Sequence, residues 1–307
     1  MKAARIHRFG SPDVIVVEDI PRPTPAAGEV LVRVVAAGVA PWDALIREGK
    51  SKVSPPPPLT LGSDLSGFVE AVAPGVNQFN RGDEVYGVTN PQFVGAHAEY
   101  AVAAADMIAP KPRCLSHLQA ASVPVVAVTA WQMLFEHASP EVGQTVMILG
   151  AAGNVGAYAV QFAAHAGVHV IAVVGSKDVA FVRTLGATDV IDYRATDFAD
   201  VGQIVDAVID TVGGETRDRA MGALKPGGIL VTVVSTEFVP VRADVRTAFF
   251  YAEVTTARLS TISGLLESGT IIPQVGSVLP LEQVRAAHDM LAGAPHERGK
   301  IVLNVAG

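Results

Sequence analysis

The stretch VMILGAAGNVGAYAVQFAAHAG, residues 146–167, decides how the chain is read. Apolar residues lead into a glycine-rich turn, and small and apolar residues at helical spacing follow it. A buried strand that turns directly into a helix is the unit from which parallel sheets are built. Downstream, VHVIAVVG, AVIDTVG and ILVTVVS repeat the apolar run, separated by helical patterns such as DVAFVRTLG. The expected architecture of residues 124–270 is therefore an α/β domain with a doubly wound parallel sheet.

A glycine-rich turn between strand and helix is also where a dinucleotide can be held. Gly153 would let the backbone approach a pyrophosphate, and Gly156 would let the new helix pack closely on its strand, with the helix N-terminus facing the phosphate charge. The candidate contacts are Ala151, Ala152, Gly153, Asn154, Val155 and Gly156; Ala151 stands where the usual triplet has its first glycine. The competing reading is a tight turn with no ligand. The second strand ends in VVGSKD, so the position for an acid that would bind a ribose 2′-hydroxyl falls near Gly175. Without that carboxylate, Ser176 and Lys177 can contact a 2′-phosphate, which points to NADPH. Ser176 competes as N-cap of the next helix. Tyr193 and Arg194, after GATDVIDYR, can reach the same phosphate, or Arg194 is a solvated loop charge.

The first 123 residues have a different texture. Short β-branched runs, VIVVEDI (14–20), EVLVRVVAAGV (29–39), GFVEAVAPGV (67–76) and DEVYGV (83–88), are spaced by Pro and Gly, as in an antiparallel barrel or sandwich. PPPP at 55–58 cannot donate to a sheet and reads as an extended connector. The tail, 271–307, returns to strand-like PQVGSVLP and KIVLNV around a helical LEQVRAAHDMLAG, and is expected to complete the first domain.

Composition narrows the function. The 307 residues are 50% hydrophobic with a formal net charge of -7, and the basic residues are scattered, which argues against a nucleic-acid footprint. VPVVAVTAWQMLF (123–135) is too short for a membrane span, and MKAARIHRFG lacks the apolar core of a signal peptide. With Cys114 the one cysteine, neither a disulfide within the chain nor a cysteine-rich zinc site can form, which fits a reducing cytoplasm.

Taken in order, GVAPWDALIREG (38–49), PPLTLGSDLSG (57–67), RGDEVYG (81–87), GAHAEYAVA (95–103), GAAGNVG (150–156), VIDTVGGET (208–216), LKPGGILV (224–231) and RGKIVL (298–303) resemble the medium-chain dehydrogenase/reductase superfamily, in its zinc-independent quinone oxidoreductase branch. The resemblance implies a mostly-β GroES-like domain, completed by the tail, with a Rossmann domain inserted. It places a cofactor in the cleft with nicotinamide facing the first domain, and implies a homodimer pairing through the Rossmann sheet. Zinc-dependent relatives carry Cys in the segment matching GVAPWD and a His-Glu pair in the one matching LGSD. Here Ala40 and Ser63-Asp64 stand there, so no zinc site is expected.

The activity so implied is hydride transfer from NADPH to a quinone or an α,β-unsaturated carbonyl. Alternatives are reduction of simple carbonyls and non-catalytic NADPH binding. By resemblance, Thr129 falls near the nicotinamide ribose, and Val212, Ser235 and Lys300 are further candidates for cofactor contact. Ala40, Trp42, Asp64, Phe250 and Tyr251 are candidates for the acceptor pocket, with Tyr251 the one catalytic candidate. Quinone reductases usually have Asn and Tyr where Ala40 and Leu45 stand, so two polar contacts are missing. Asp43, Tyr86 and His97 are expected to be structural.

Overall fold

The structure, a computed structural model, describes residues 1–195, 201–234 and 242–306. The chain divides into two compact units, Met1–Val125 together with Val254 onward, and Val126–Glu253.

The first unit opens with β1 (Lys2–Ile6), β2 (Ile15–Asp19) and β3 (Glu29–Val39). After helix α1 (Pro41–Arg47) come β4 (Leu59–Thr60), β5 (Asp64–Val72), β6 (Glu84–Val88), β7 (Tyr100–Ala104) and β8 (Ile108–Pro110). β1 pairs antiparallel with β2 and β4, while β3 is the hub of a larger sheet, pairing antiparallel with β5 and β7. Alternate β-branched residues of β3, Val30, Val32 and Val34, are buried with Leu65, Val69, Val85 and Ile108, which is why this run forms the central strand. PPPP is without regular structure, as its missing amide donors require.

Ser116 and Gln119 form a reciprocal capping box on α2 (His117–Ala121). The apolar VPVVAVTAWQMLF becomes α3 (Pro124–Trp131) followed by a π-helical segment, Gln132–Ala138.

In the second unit β9 (Thr145–Leu149) leads through the glycine turn into α4 (Asn154–His165), then β10 (His169–Val174), α5 (Val179–Thr184) and β11 (Asp189–Asp192). β12 (Val205–Asp210), α6 (Gly214–Ala220), β13 (Leu224–Thr232) and β14 (Arg246–Phe249) follow. The six strands form one parallel sheet in the order β11-β10-β9-β12-β13-β14, so the chain reverses direction across the sheet at β9. That doubly wound order leaves a crevice beyond the carboxyl ends of β9 and β12, where such folds take ligands. Phe162 on α4 is fully buried against Trp131 and Phe135, and packing of that size contributes ~1.5–3 kcal/mol.

Residues 254–270 differ from the sequence expectation, which assigned them to the α/β domain. They carry α7 (Thr256–Glu267), capped by Thr255, and group with the first unit. Tyr86 donates its hydroxyl to the carbonyl of Leu259 at 2.8 Å, and Thr256 donates to the carbonyl of Ile108 at 2.7 Å. Helical pattern alone does not say which sheet a helix covers. The tail supplies β15 (Val275–Pro280), α8 (Val284–Leu291) and β16 (Lys300–Asn304), and β16 pairs antiparallel with β3.

Candidate functional site

Steric exclusion shapes the turn after β9. Gly150 has φ +69°, a conformation side chains rarely adopt, and a Cβ there would lie 2.7 Å from the hydroxyl of Thr211. A Cβ on Gly156 would lie 2.2 Å from the carbonyl oxygen of Gly150 and 2.8 Å from the Cα of Ala151, so the first turn of α4 sits on the strand end only because that residue is glycine. At Gly153 an added Cβ would meet a single atom, the Gly150 oxygen at 3.2 Å. The backbone there is exposed, and no side chain caps the helix. The first-turn N–H groups of Asn154, Val155 and Gly156, with no partner inside the helix, are donors for an anion.

Around this turn the structure brings together several candidates. Ala152, Asn154 and Val155 are half-buried at its rim, and Val212, nearly half exposed, lies beside Gly150. Ala151 is corrected: it is fully buried and its amide already donates to the carbonyl of Val173. Asp210 is a residue that sequence reasoning missed. Fully buried, it accepts from the backbone N–H groups of Val212 and Gly213 and from the Thr232 hydroxyl, and so sets the loop after β12. The signal for it was an aspartate followed by a glycine pair at a strand end.

At the end of β10, an atom added to Gly175 would lie 3.7 Å from the ring of Tyr193 and 4.0 Å from the guanidinium carbon of Arg194. Lys177 is exposed on the short 3-10 turn Ser176–Asp178. The capping role for Ser176 is corrected, because α5 begins at Val179 and the Ser176 hydroxyl donates to Asp192. Thr129 is buried on α3. Ser235 lies outside the described residues.

Phe250 stacks on His137 with centroids 4.3 Å apart, and Tyr251, 65% exposed, meets Phe249 edge-on. Both residues are in the second unit, Phe250 half-buried and Tyr251 exposed, while the remaining pocket candidates belong to the first.

Those of the first unit form a buried polar cluster. Lys300, 1% exposed, donates to Asp64 Oδ2 at 2.7 Å and lies 4.2 Å from the centre of the Trp42 ring. Asp64 Oδ1 accepts the backbone N–H of Val125, and Trp42 donates to the Ser63 hydroxyl. Lys300 as a cofactor contact and Asp64 as a pocket wall are therefore corrected: both are enclosed, and the ammonium of one is bonded to the carboxylate of the other. Ala40 is corrected likewise, being buried at the N-cap of α1. Asp43 accepts the backbone N–H of Ala40, and burial pushes its carboxyl up to about 7.

His97 and His288 complete this cluster. His97 donates Nε2–H to the carbonyl of Gly38, and burial lowers its pKa to about 4. His288 Nδ1 accepts from Arg47, and burial, followed by His97 and the Arg47 charge, lowers it to about 3. Between pH 6.5 and 4 the unfolded chain protonates both imidazoles and the folded unit neither, whereas Asp43 keeps a proton that the unfolded chain has lost. The folded chain is then short by a net one proton, so these groups make stability fall on acidification by about 1.4 kcal/mol per pH unit. His97→Gln, whose amide retains a donor for Gly38, is expected to remove most of that slope in thermal denaturation across this window. An unchanged slope would mean His97 is not held neutral.

Among the described residues no group of three or more His, Cys, Asp or Glu could hold a metal ion, and no helix is long and apolar enough to cross a membrane. The donor set at Ala40, Ser63 and Asp64 does not fit zinc. The open glycine backbone and the donors of α4, by contrast, fit a dinucleotide.

Residues 26–113 match the family model described as alcohol dehydrogenase GroES-like domain, and residues 185–303 the one described as zinc-binding dehydrogenase. The chain is 31% identical to quinone oxidoreductase of Mus musculus, over 99% of this chain and 97% of that protein. The solved quinone oxidoreductase of Coxiella burnetii superposes with a TM-score of 0.91 at 32% identity, covering 99% of both chains. A structure of 2-haloacrylate reductase superposes at 0.86 with 27% identity, covering all of both chains. The parallel sheet with its glycine turn, the strand-rich unit and this full-length similarity place the chain in the medium-chain dehydrogenase/reductase superfamily, in its quinone oxidoreductase-like branch.

Proposed function

We propose that the protein is a zinc-independent oxidoreductase that uses NADPH to reduce a quinone or an α,β-unsaturated carbonyl. The observation that carries this reading is the β9–α4 turn, where Gly156 closes the packing and Gly153 leaves backbone open to a pyrophosphate. Lys177 and Arg194, near the end of β10, supply positive charge for a 2′-phosphate. The full-length similarity to quinone oxidoreductases, and to a reductase of a conjugated acrylate, supports an acceptor with an electron-poor conjugated bond.

Bound reduced nicotinamide supplies the hydride. The residues of this chain bind and orient it. The α4 N-terminus holds the diphosphate, the loop braced by Asp210 keeps Val212 beside Gly150, and the cations near Gly175 hold the adenosine end. The proton that completes reduction comes from water or from the Tyr251 hydroxyl, which is exposed. A small-molecule acceptor, a second copy of the chain and a cytoplasmic setting complete the proposal, with neither nucleic acid nor membrane as a partner.

The test follows loss of reduced-nicotinamide absorbance with NADPH and NADH, against 1,4-benzoquinone, 9,10-phenanthrenequinone and an enone beside its saturated ketone, with a chelator present. Chelator-resistant turnover of a quinone or the enone, faster with NADPH, is the expected result. Turnover of the saturated ketone at an equal rate would replace the acceptor class, and abolition by chelator would overturn the zinc-independent reading.

A further inference from the structure

Gly175 ends β10 without a carboxylate, but the strand beside it does carry one. In the parallel register Val174 stands opposite Asp192, the last residue of β11. One oxygen of Asp192 accepts the Ser176 hydroxyl at 2.5 Å, and the other accepts the backbone N–H of Arg194 at 3.0 Å. These two bonds, with the Arg194 charge, hold the carboxyl below its usual range, so it is an anion at neutral pH. The surface around Gly175 therefore holds two cations, Lys177 and Arg194, neither in an ion pair among the described residues, and, beside the acidic Asp178 of the same turn, the Asp192 carboxylate held in place by its hydrogen bonds.

The two forms of the cofactor meet this arrangement differently. A ribose 2′-hydroxyl can donate to a carboxylate, as it does in folds with an acid at the end of the second strand. A 2′-phosphate is attracted by Lys177 and Arg194 but repelled by Asp192, and finds the Ser176 hydroxyl already committed. The anion thus favours one cofactor and the cations the other.

We propose that Asp192 is a specificity-determining residue that keeps the preference for NADPH over NADH small, by placing a carboxylate on β11 where β10 has none. This rests on the reading that the β9–α4 turn holds a nicotinamide dinucleotide. Asp192→Asn keeps an acceptor for Arg194 N–H and for a 2′-hydroxyl while removing the charge.

Isothermal titration of the intact protein with adenosine 2′,5′-bisphosphate, AMP, NADPH and NADH tests it without relying on turnover. The wild type is expected to bind the phosphorylated member of each pair within about 10-fold of the other, and Asp192→Asn to raise that ratio by ~10-fold, the scale of one charge contact at a phosphate. A ratio unchanged by Asp192→Asn, or a wild type that already prefers NADPH by more than about 100-fold, would overturn the role of Asp192 and leave the nucleotide site standing. Failure of the wild type to bind any of the four would instead overturn the site on which the inference rests.

Discussion

Lys300→Met is expected to destabilise the first unit by about 3–5 kcal/mol, the largest stability loss of any single change considered. The ammonium is 1% exposed and bonded to an Asp64 carboxylate that is fully buried. Removing the cation leaves a charge with no water to solvate it. The second oxygen of Asp64 still accepts the Val125 N–H, but one neutral donor does not replace an ammonium. Asp43, whose carboxyl Lys300 holds partly down against its burial, would be pushed further toward its neutral form. Methionine fills similar volume against Trp42, so the loss is electrostatic and not a cavity. The double variant Lys300→Met with Asp64→Leu, which removes both charges, is therefore expected to regain most of the loss. Urea denaturation of the three proteins checks this, and a double variant as unstable as the single one would show that the pair serves packing alone.

This pair also marks where the sequence stops being legible. Asp64 and Lys300 are 236 positions apart, and only the pairing of β16 with β3, and of β3 with β5, brings the strands that carry them into one sheet. Local pattern cannot report such closure, so Lys300 stood as a candidate for cofactor contact. The bond from Ser176 to Asp192 has the same origin, since it depends on β11 lying beside β10. The doubly wound sheet was legible because its signals are local: apolar runs of strand length, helical spacing between them, and glycine where backbone crowding leaves no alternative. Tyr251 was a candidate only through the family resemblance, and its exposure is a property of the folded chain.

Two glycines three positions apart should fail in different ways, and that difference tests the proposed cofactor site directly. In Gly156→Ala the new methyl lies 2.2 Å from the Gly150 oxygen and 2.8 Å from the Ala151 Cα, both backbone atoms of the same turn. Helix and strand must separate, so overpacking costs ~1–3 kcal/mol. The amides of α4 also lose their aim, and NADPH affinity should fall by about 100-fold, the equivalent of ~2.7 kcal/mol. In Gly153→Ala the methyl meets the Gly150 oxygen at 3.2 Å and otherwise points into open space. Because φ there is -78°, alanine fits the backbone without strain. Its melting temperature should therefore stay near that of the wild type, while NADPH binding weakens by ~10-fold or more, since the methyl stands where the pyrophosphate must approach. Calorimetric melting and NADPH titration of both variants separate the two effects. If Gly153→Ala binds NADPH as the wild type does, the pyrophosphate does not run across that backbone and the glycine turn is only a tight connection between strand and helix.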